Sequence, residues 1–93
     1  MAYAYHFNPV SMNAAQYTEC IARLDAAGAS NPPGRRYHVA FGLPDHIQVY
    51  DVWESAEDFE RFGQTLVPIL TELGIDPGVP SVLEVFNVID GAR

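Results

Sequence analysis

Lysine is absent from this chain of 93 residues, cysteine occurs once, and no stretch of about eighteen consecutive apolar residues exists. Each absence excludes something. Five arginines are the whole basic complement against twelve Asp or Glu, and a formal charge of −7 repels phosphate backbones and anionic lipid. Nucleic acid and membrane surfaces are therefore not expected as partners. The single Cys20 can form no internal disulfide and is compatible with a reducing cytosol. Without a spanning run, and without a basic-then-apolar N-terminal signal, the expectation is a soluble, unexported, cytoplasmic protein. Also missing are a Gly-rich phosphate loop, Gly-x-Ser-x-Gly, Cys-x-x-Cys and His-Glu-x-x-His, which removes nucleotide enzymes, the common hydrolases and zinc proteases from consideration.

What is present is clearest between His46 and Leu73. HIQVYDVWE (46–54) is β-branched and aromatic, with Ile47, Val49 and Trp53 at a period of two; Phe59, Phe62, Gly63, Leu66, Ile69, Leu70 and Leu73 then recur at i+3 and i+4. Ser55, with Asp58 three residues on, marks the join as a helix N-cap, and Glu57, Asp58 and Glu60 favour the positive end of the helix. A strand runs directly into an amphipathic helix. Pro68 lacks an N–H and its ring crowds the carbonyl of Gln64, so a kink or break is expected near Val67.

The rest of the chain follows the same logic. AYAYHFN (2–8) reads as a first strand stopped by Pro9. From a cap at Ser11 or Asn13, the positions Ala14, Tyr17, Cys20, Ile21, Leu24 and Ala27 share one helical face, and Gly28 is a natural stop. After the loop 28–34, Arg35 to Gly42 reads as a second strand, and Leu43-Pro44-Asp45 as the hairpin turn into the third. IDPGVP (75–80) breaks the chain before a last strand, SVLEVFNVI (81–89), and a short polar tail. The order is βαββαβ over one domain, residues 1–93: an α+β, ferredoxin-like chain with a four-stranded antiparallel sheet and two helices on one face.

Two helices leave the other sheet face uncovered. Tyr3, Tyr5 and Phe7 alternate with Ala4, His6 and Asn8, and Tyr50, Val52, Phe86 and Val88 lie opposite more aliphatic positions, so both faces are partly apolar. Apolar area of that kind marks an interface, and a domain this short has a thin core. A homodimer with two sheets packed face to face is expected.

The polar residues on these elements suggest chemistry. With Leu43-Pro44-Asp45 as the loop, Val39 lies opposite Val49 and His38 opposite Tyr50, which puts His38 and His46 on one face; His6 and Glu84 would complete a set of divalent-metal ligands. No His-x-His or His-x₃-His spacing supports it, and interface hydrogen bonding is the better reading of these histidines. Asp51 stands on an apolar strand face beside Trp53, so it should meet Arg35, Arg36 or Arg61 in an ion pair, or else contact a ligand. Cys20 lies on the buried stripe of the first helix and should act as a small hydrophobe.

The order of elements together with VWESAEDFERF (52–62), a Trp at a strand end followed by Ser and a Phe-bearing helix, resembles the dimeric α+β barrel superfamily, and within it the antibiotic biosynthesis monooxygenase-like group. The resemblance implies a pocket between helices and sheet, with Asn8 and Trp53 matching an Asn of the first strand and a Trp at the end of the third. It also implies no cofactor. The haem-degrading branch uses a His of the second helix, and no His lies between Glu54 and Gly74. A cofactor-independent monooxygenase acting on phenolic or other aromatic substrates needs an apolar cavity, an oxyanion donor and exclusion of water. On that reading Asn8 is the donor, His6 orients the substrate or takes its proton, Trp53, Phe59 and Phe62 form an aromatic wall, and Asp51 and His38 contact the ligand. The alternative is a non-catalytic small-molecule-binding or interaction module of the same fold.

Overall fold

The computed structural model of the chain describes residues 1–91, and the last two residues of the expected polar tail lie outside that range. The elements are β1 (Tyr3–Phe7), α1 (Ala14–Ala26), β2 (Arg35–Leu43), β3 (His46–Trp53), α2 (Ala56–Glu72) and β4 (Ser81–Glu84). They form one antiparallel sheet in the order β2-β3-β1-β4 with both helices on one face. This is the ferredoxin-like α+β arrangement expected from the sequence.

Each helix begins where its cap dictates. Asn13 closes a capping box: its side-chain oxygen accepts from the Gln16 N–H at 2.8 Å, while the Gln16 side chain accepts from the Asn13 N–H at 2.9 Å. Ser55 Oγ accepts from the Asp58 N–H at 3.1 Å, and Glu57 and Asp58 lie in the first turn. Of the expected kink or break, the break does not occur: α2 runs through Pro68 to Glu72. Pro68 and Gln64 are both exposed, so the lost hydrogen bond falls on the solvent side, where water can serve the freed carbonyl. On the opposite side Phe62, Leu66, Ile69 and Leu70 hold the helix against the core.

Strand alternation divides the sheet into two surfaces. Tyr3, Tyr5 and Phe7 share the helix-covered face with Val49, Asp51 and Trp53; Ala4 and His6 share the open face with Tyr50 and Val52. The core is Tyr5, Met12, Cys20, Leu24, Trp53, Phe62, Leu70 and Ile75, with Trp53 at 0% exposure. Two features of the sheet differ from the sequence reading. The β2–β3 turn is Pro44-Asp45 alone, with Leu43 opposite His46, because a two-residue turn closes an antiparallel ladder most tightly. That one-residue change places Val39 opposite Tyr50 and His38 opposite Asp51. The last strand also stops at Glu84 rather than continuing to Ile89. The Val85 N–H still bonds the Ala2 carbonyl at 2.9 Å, but β1 begins at Tyr3 and offers little backbone beyond that point. Phe86 is left 97% exposed.

Gly34 joins the α1–β2 loop to the start of α2. Its φ is +88°, its carbonyl accepts from the Glu54 N–H at 2.8 Å, and a Cβ there would run into the Asp58 side chain as far back as its own Cβ. Gly28 has a similar φ of +72° with open space around it. Gly28→Ala should therefore cost ~1 kcal/mol from backbone strain alone, whereas Gly34→Ala should cost clearly more, as read by the difference in urea midpoints of the two variants.

Candidate active site

A cavity of about 160 Å³ lies between the sheet and the two helices. Phe7 and Val49 form its floor, Cys20 and Leu24 of α1 one side, and Phe59 and Phe62 of α2 the other. Four side chains with polar or charged ends reach this apolar space: Tyr17, Arg35, His38 and Asp51.

Three of them form a hydrogen-bonded chain ending on the tryptophan. Tyr17 Oη lies 2.7 Å from His38 Nε2, His38 Nδ1 lies 2.5 Å from Asp51 Oδ1, and Trp53 Nε1–H donates to Asp51 Oδ2 at 3.2 Å. An ionised carboxylate only accepts, and indole only donates, which fixes the directions. His38 Nδ1–H therefore donates to Asp51, leaving Nε2 to accept the Tyr17 O–H. The Tyr17 and His38 rings are also nearly parallel, 5° apart, with centroids separated by 6.0 Å. Asp51 is 5% exposed, and both of its oxygens are satisfied inside the protein.

The sheet places each link. Asp51 and Trp53 sit two residues apart on β3, so alternation points both toward the helices, and the two-residue hairpin sets His38 directly across from Asp51. Tyr17 comes from α1, one turn before Cys20 on the same face. The sequence reading did not single out Tyr17, although its place on the apolar stripe of α1 made it visible. In place of the expected arginine, Asp51 is hydrogen-bonded by His38, while Arg36 pairs with Glu54 at 3.2 Å and Arg61 with Asp58 at 2.9 Å.

Of the residues singled out beforehand, Phe59, Phe62, Asp51 and His38 line the cavity, and Trp53 lies directly behind it. Trp53 meets Phe59 edge-on at 5.6 Å between centroids and Phe62 at 5.3 Å. His6 and Asn8 are separated from this group. His6 lies on the open face, where its Nε2–H donates to Gln48 Oε1 at 2.9 Å and its ring stacks near Phe41. Exposed Asn8 accepts at Oδ1 from His46 Nε2 at 2.6 Å. The histidines thus divide between the two sheet faces, His38 toward the helices and His6 and His46 away from them. The cluster of three imidazoles with Glu84 does not form, and among the described residues no group of three His, Cys, Asp or Glu side chains is placed to hold a metal ion.

Burial perturbs two groups on the cavity wall. The Tyr17 hydroxyl is pushed above its ordinary range first by desolvation and then by the Asp51 carboxylate, with Arg35 opposing. The Cys20 thiol is raised by desolvation, partly offset by Arg23, which makes it a poor nucleophile at neutral pH.

This sheet, with a cavity between it and two helices, is a ferredoxin-like α+β fold. No protein-family model matches the chain, and no curated protein sequence matches it significantly. Solved structures do. SnoaB, a cofactor-independent oxygenase from Streptomyces nogalater, superposes with a TM-score of 0.62 at 17% identity, covering 97% of this chain and 96% of its own. A candidate antibiotic biosynthesis monooxygenase from Chloroflexus aurantiacus gives 0.61 at 21% identity, over 99% and 98% of the two chains. Another from Deinococcus radiodurans gives 0.59 at 13% identity over the full length of both. At these identities the likeness establishes the fold. Among the described residues, no helix is long and apolar enough to cross a membrane.

The raised Tyr17 hydroxyl makes a statement about alkaline stability. Unfolded tyrosine ionises near pH 10 and folded Tyr17 above it, so its contribution is complete below pH 10 and lost as pH rises through the folded value. Tyr5, raised mainly by burial, adds in the same direction. In chemical denaturation from pH 8 to 11.5, wild type should lose stability with a steeper slope than Tyr17→Phe.

Proposed function

We propose that the protein is a small-molecule enzyme of the cofactor-independent monooxygenase type, acting on a phenolic ring held in the cavity. The observation that carries this reading is the Tyr17–His38–Asp51 chain ending in an otherwise apolar, ring-sized space. The cofactor-independent oxygenase SnoaB, a structural neighbour along nearly the whole chain, supports it.

Phenol oxidation of this kind needs a proton acceptor and dioxygen. Tyr17 is the link nearest the bound ring: its oxygen takes the substrate's phenolic proton as its own passes to His38 Nε2. The Asp51 carboxylate then stabilises the imidazolium, while Trp53 holds that carboxylate in place. Burial excludes water and strengthens these interactions. The electron-rich phenolate reduces dioxygen: phenol and O₂ give quinone and water. One oxygen atom replaces hydrogen on the ring carbon, and the other leaves in water with that hydrogen and the phenolic one. In this scheme Phe59 and Phe62 stack on the ring, Tyr17, His38 and Asp51 handle the proton, and Trp53 is a positioning residue. His6 and Asn8, on the far face, have no direct part.

Oxygen uptake with 1-naphthol as probe tests the scheme. His38→Gln and Tyr17→Phe should each lower kcat by ~100-fold or more, with calorimetric affinity for the probe changed far less. A second reading, a binding module, is favoured by the full internal satisfaction of the chain's polar atoms. It predicts 1-naphthol binding with no oxygen uptake above a protein-free blank.

We propose further that the protein is a homodimer, joined through the open sheet face. Tyr50, Phe41 and Leu83 are exposed there around half-buried His6, forming an apolar surface rimmed by Tyr37 and Phe86. Light scattering should give twice the chain mass of 10.3 kDa for wild type and the chain mass for Leu83→Arg with Tyr50→Arg.

A further inference from the structure

We propose that the cavity selects aromatic acids, with Arg35 at its mouth as the residue that binds the substrate's carboxylate. The inference rests on reading the cavity as a small-molecule site, and goes beyond that reading in naming the charge of the ligand and the group that recognises it.

Three observations point to Arg35. The first is its pairing. Arg23 bonds Glu19 and Glu72, Arg36 bonds Glu54, and Arg61 bonds Asp58, so among the described arginines Arg35 alone lacks a carboxylate partner. This occurs in a chain with twelve acidic residues and only five basic ones. Its contacts are instead the Ser30 carbonyl, reached by Nη2 at 2.8 Å, and the face of Phe62, 5.8 Å from the ring centroid. A planar five-donor group held by one bond and one ring retains a free edge for a bidentate acceptor.

The second observation is how the backbone delivers it. Strand alternation would put His38 and Arg36 on one face and Arg35 on the other. The β2–β3 register shifts between Arg35 and Tyr37, so Arg35 lies opposite Trp53, on the same face as His38 opposite Asp51, while Arg36 turns out to Glu54. A bulge that re-aims a side chain next to a site is a common use of that irregularity. Here it exchanges which of two adjacent arginines faces the cavity.

The third observation is placement. Among the described residues, Arg35 is the only Lys or Arg lining the cavity, and it is half-buried, so it stands between the apolar interior and water. The interior, about 160 Å³, is close to the volume of an engineered apolar cavity that takes up benzene. A ligand matching both parts has one aromatic ring inside and an anionic group at the opening. Asp51 also lines the cavity, with its oxygens held by His38 and Trp53, so its charge favours a ligand that enters ring-first and leaves its carboxylate on Arg35. A hydroxyaromatic acid satisfies both ends, with its hydroxyl toward Tyr17 and its carboxylate on Arg35.

The test is calorimetric titration with 3-hydroxybenzoate and with 3-hydroxybenzamide, which has nearly the same shape and no charge. Wild type should bind the acid at least tenfold more tightly than the amide, with the preference shrinking as salt is raised. Arg35→Gln should erase the preference while leaving amide affinity within about twofold, and Arg36→Gln should keep it. Arg35→Lys, which retains charge without the fork, should show an intermediate preference and serves as the readout if Arg35→Gln does not fold. Equal binding of acid and amide by wild type, or an acid preference that survives Arg35→Gln or is lost in Arg36→Gln, overturns the assignment of Arg35. In those cases the cavity reading stands. Failure of wild type to bind either compound overturns the cavity reading and this proposal with it.

Discussion

Complete burial of Trp53 is the constraint on which the rest of the structure depends. An indole brings a large apolar surface into a core that a short chain can barely assemble, and it brings one N–H that must find an acceptor away from water. Asp51, two residues back on the same strand face, is that acceptor. A buried carboxylate in turn requires more than one donor, and His38 across the hairpin supplies the second. Tyr17 then occupies the remaining nitrogen of His38. The polar chain that we assign to chemistry is thus also a sequence of structural obligations, each created by the one before it. Such a network is costly to leave half satisfied, and the described residues contain no buried side-chain polar atom without a partner.

The same tryptophan sets the geometry of the cavity. It closes the end of β3, and Phe59 and Phe62, one helical turn apart on α2, pack edge-on and tilted against it. Phe59 also stacks on Tyr5 at 4.4 Å, so strand β1, strand β3 and helix α2 meet at a single aromatic cluster. α1 does not reach into that cluster. Besides Tyr17 it brings Cys20, Ile21 and Leu24, none of them aromatic, to the cavity wall facing those rings. Gln16 Nε2 donates to the Leu73 carbonyl at 3.1 Å and bridges the helices at one end, while Arg23 reaches Glu72 across their exposed side. The helices are tied at their edges over a space that their side chains do not fill.

The two sheet faces carry different kinds of polarity. Toward the helices, buried Asp51 and half-buried His38 have both carboxylate oxygens and both ring nitrogens hydrogen-bonded within the protein. On the open face, His6 and His46 make single bonds to neutral partners, Gln48 and Asn8, among aromatic and aliphatic side chains. Polar groups hydrogen-bonded in this way can be covered by another surface at modest cost, whereas polar groups without partners could not. This suits the open face to contact and the covered face to chemistry.

Much of this was legible in the sequence, for a physical reason. Period and capping are local, so the strand-to-helix switch at Ser55, a capped start at Ser11 or Asn13, of which the structure uses Asn13, and the order βαββαβ could be read from residues a few positions apart. The aromatic composition of α2 likewise placed Phe59 and Phe62 on the inner wall. What the tertiary structure alone decided were matters of register and partnership. One residue in the hairpin turn moved His38 from Tyr50 to Asp51, and one extra residue near Arg36 exchanged the arginine that faces inward. His6, from the same strand as the core residue Tyr5, fell on the opposite face, and Asn8, just past the end of that strand, is exposed beside His46. The helix continued through Pro68 because the position is exposed, and β4 stopped at Glu84 because β1 provided little further backbone to pair with. Each of these outcomes depends on which segments lie side by side, and a period of two turns a displacement of one residue into a change of face.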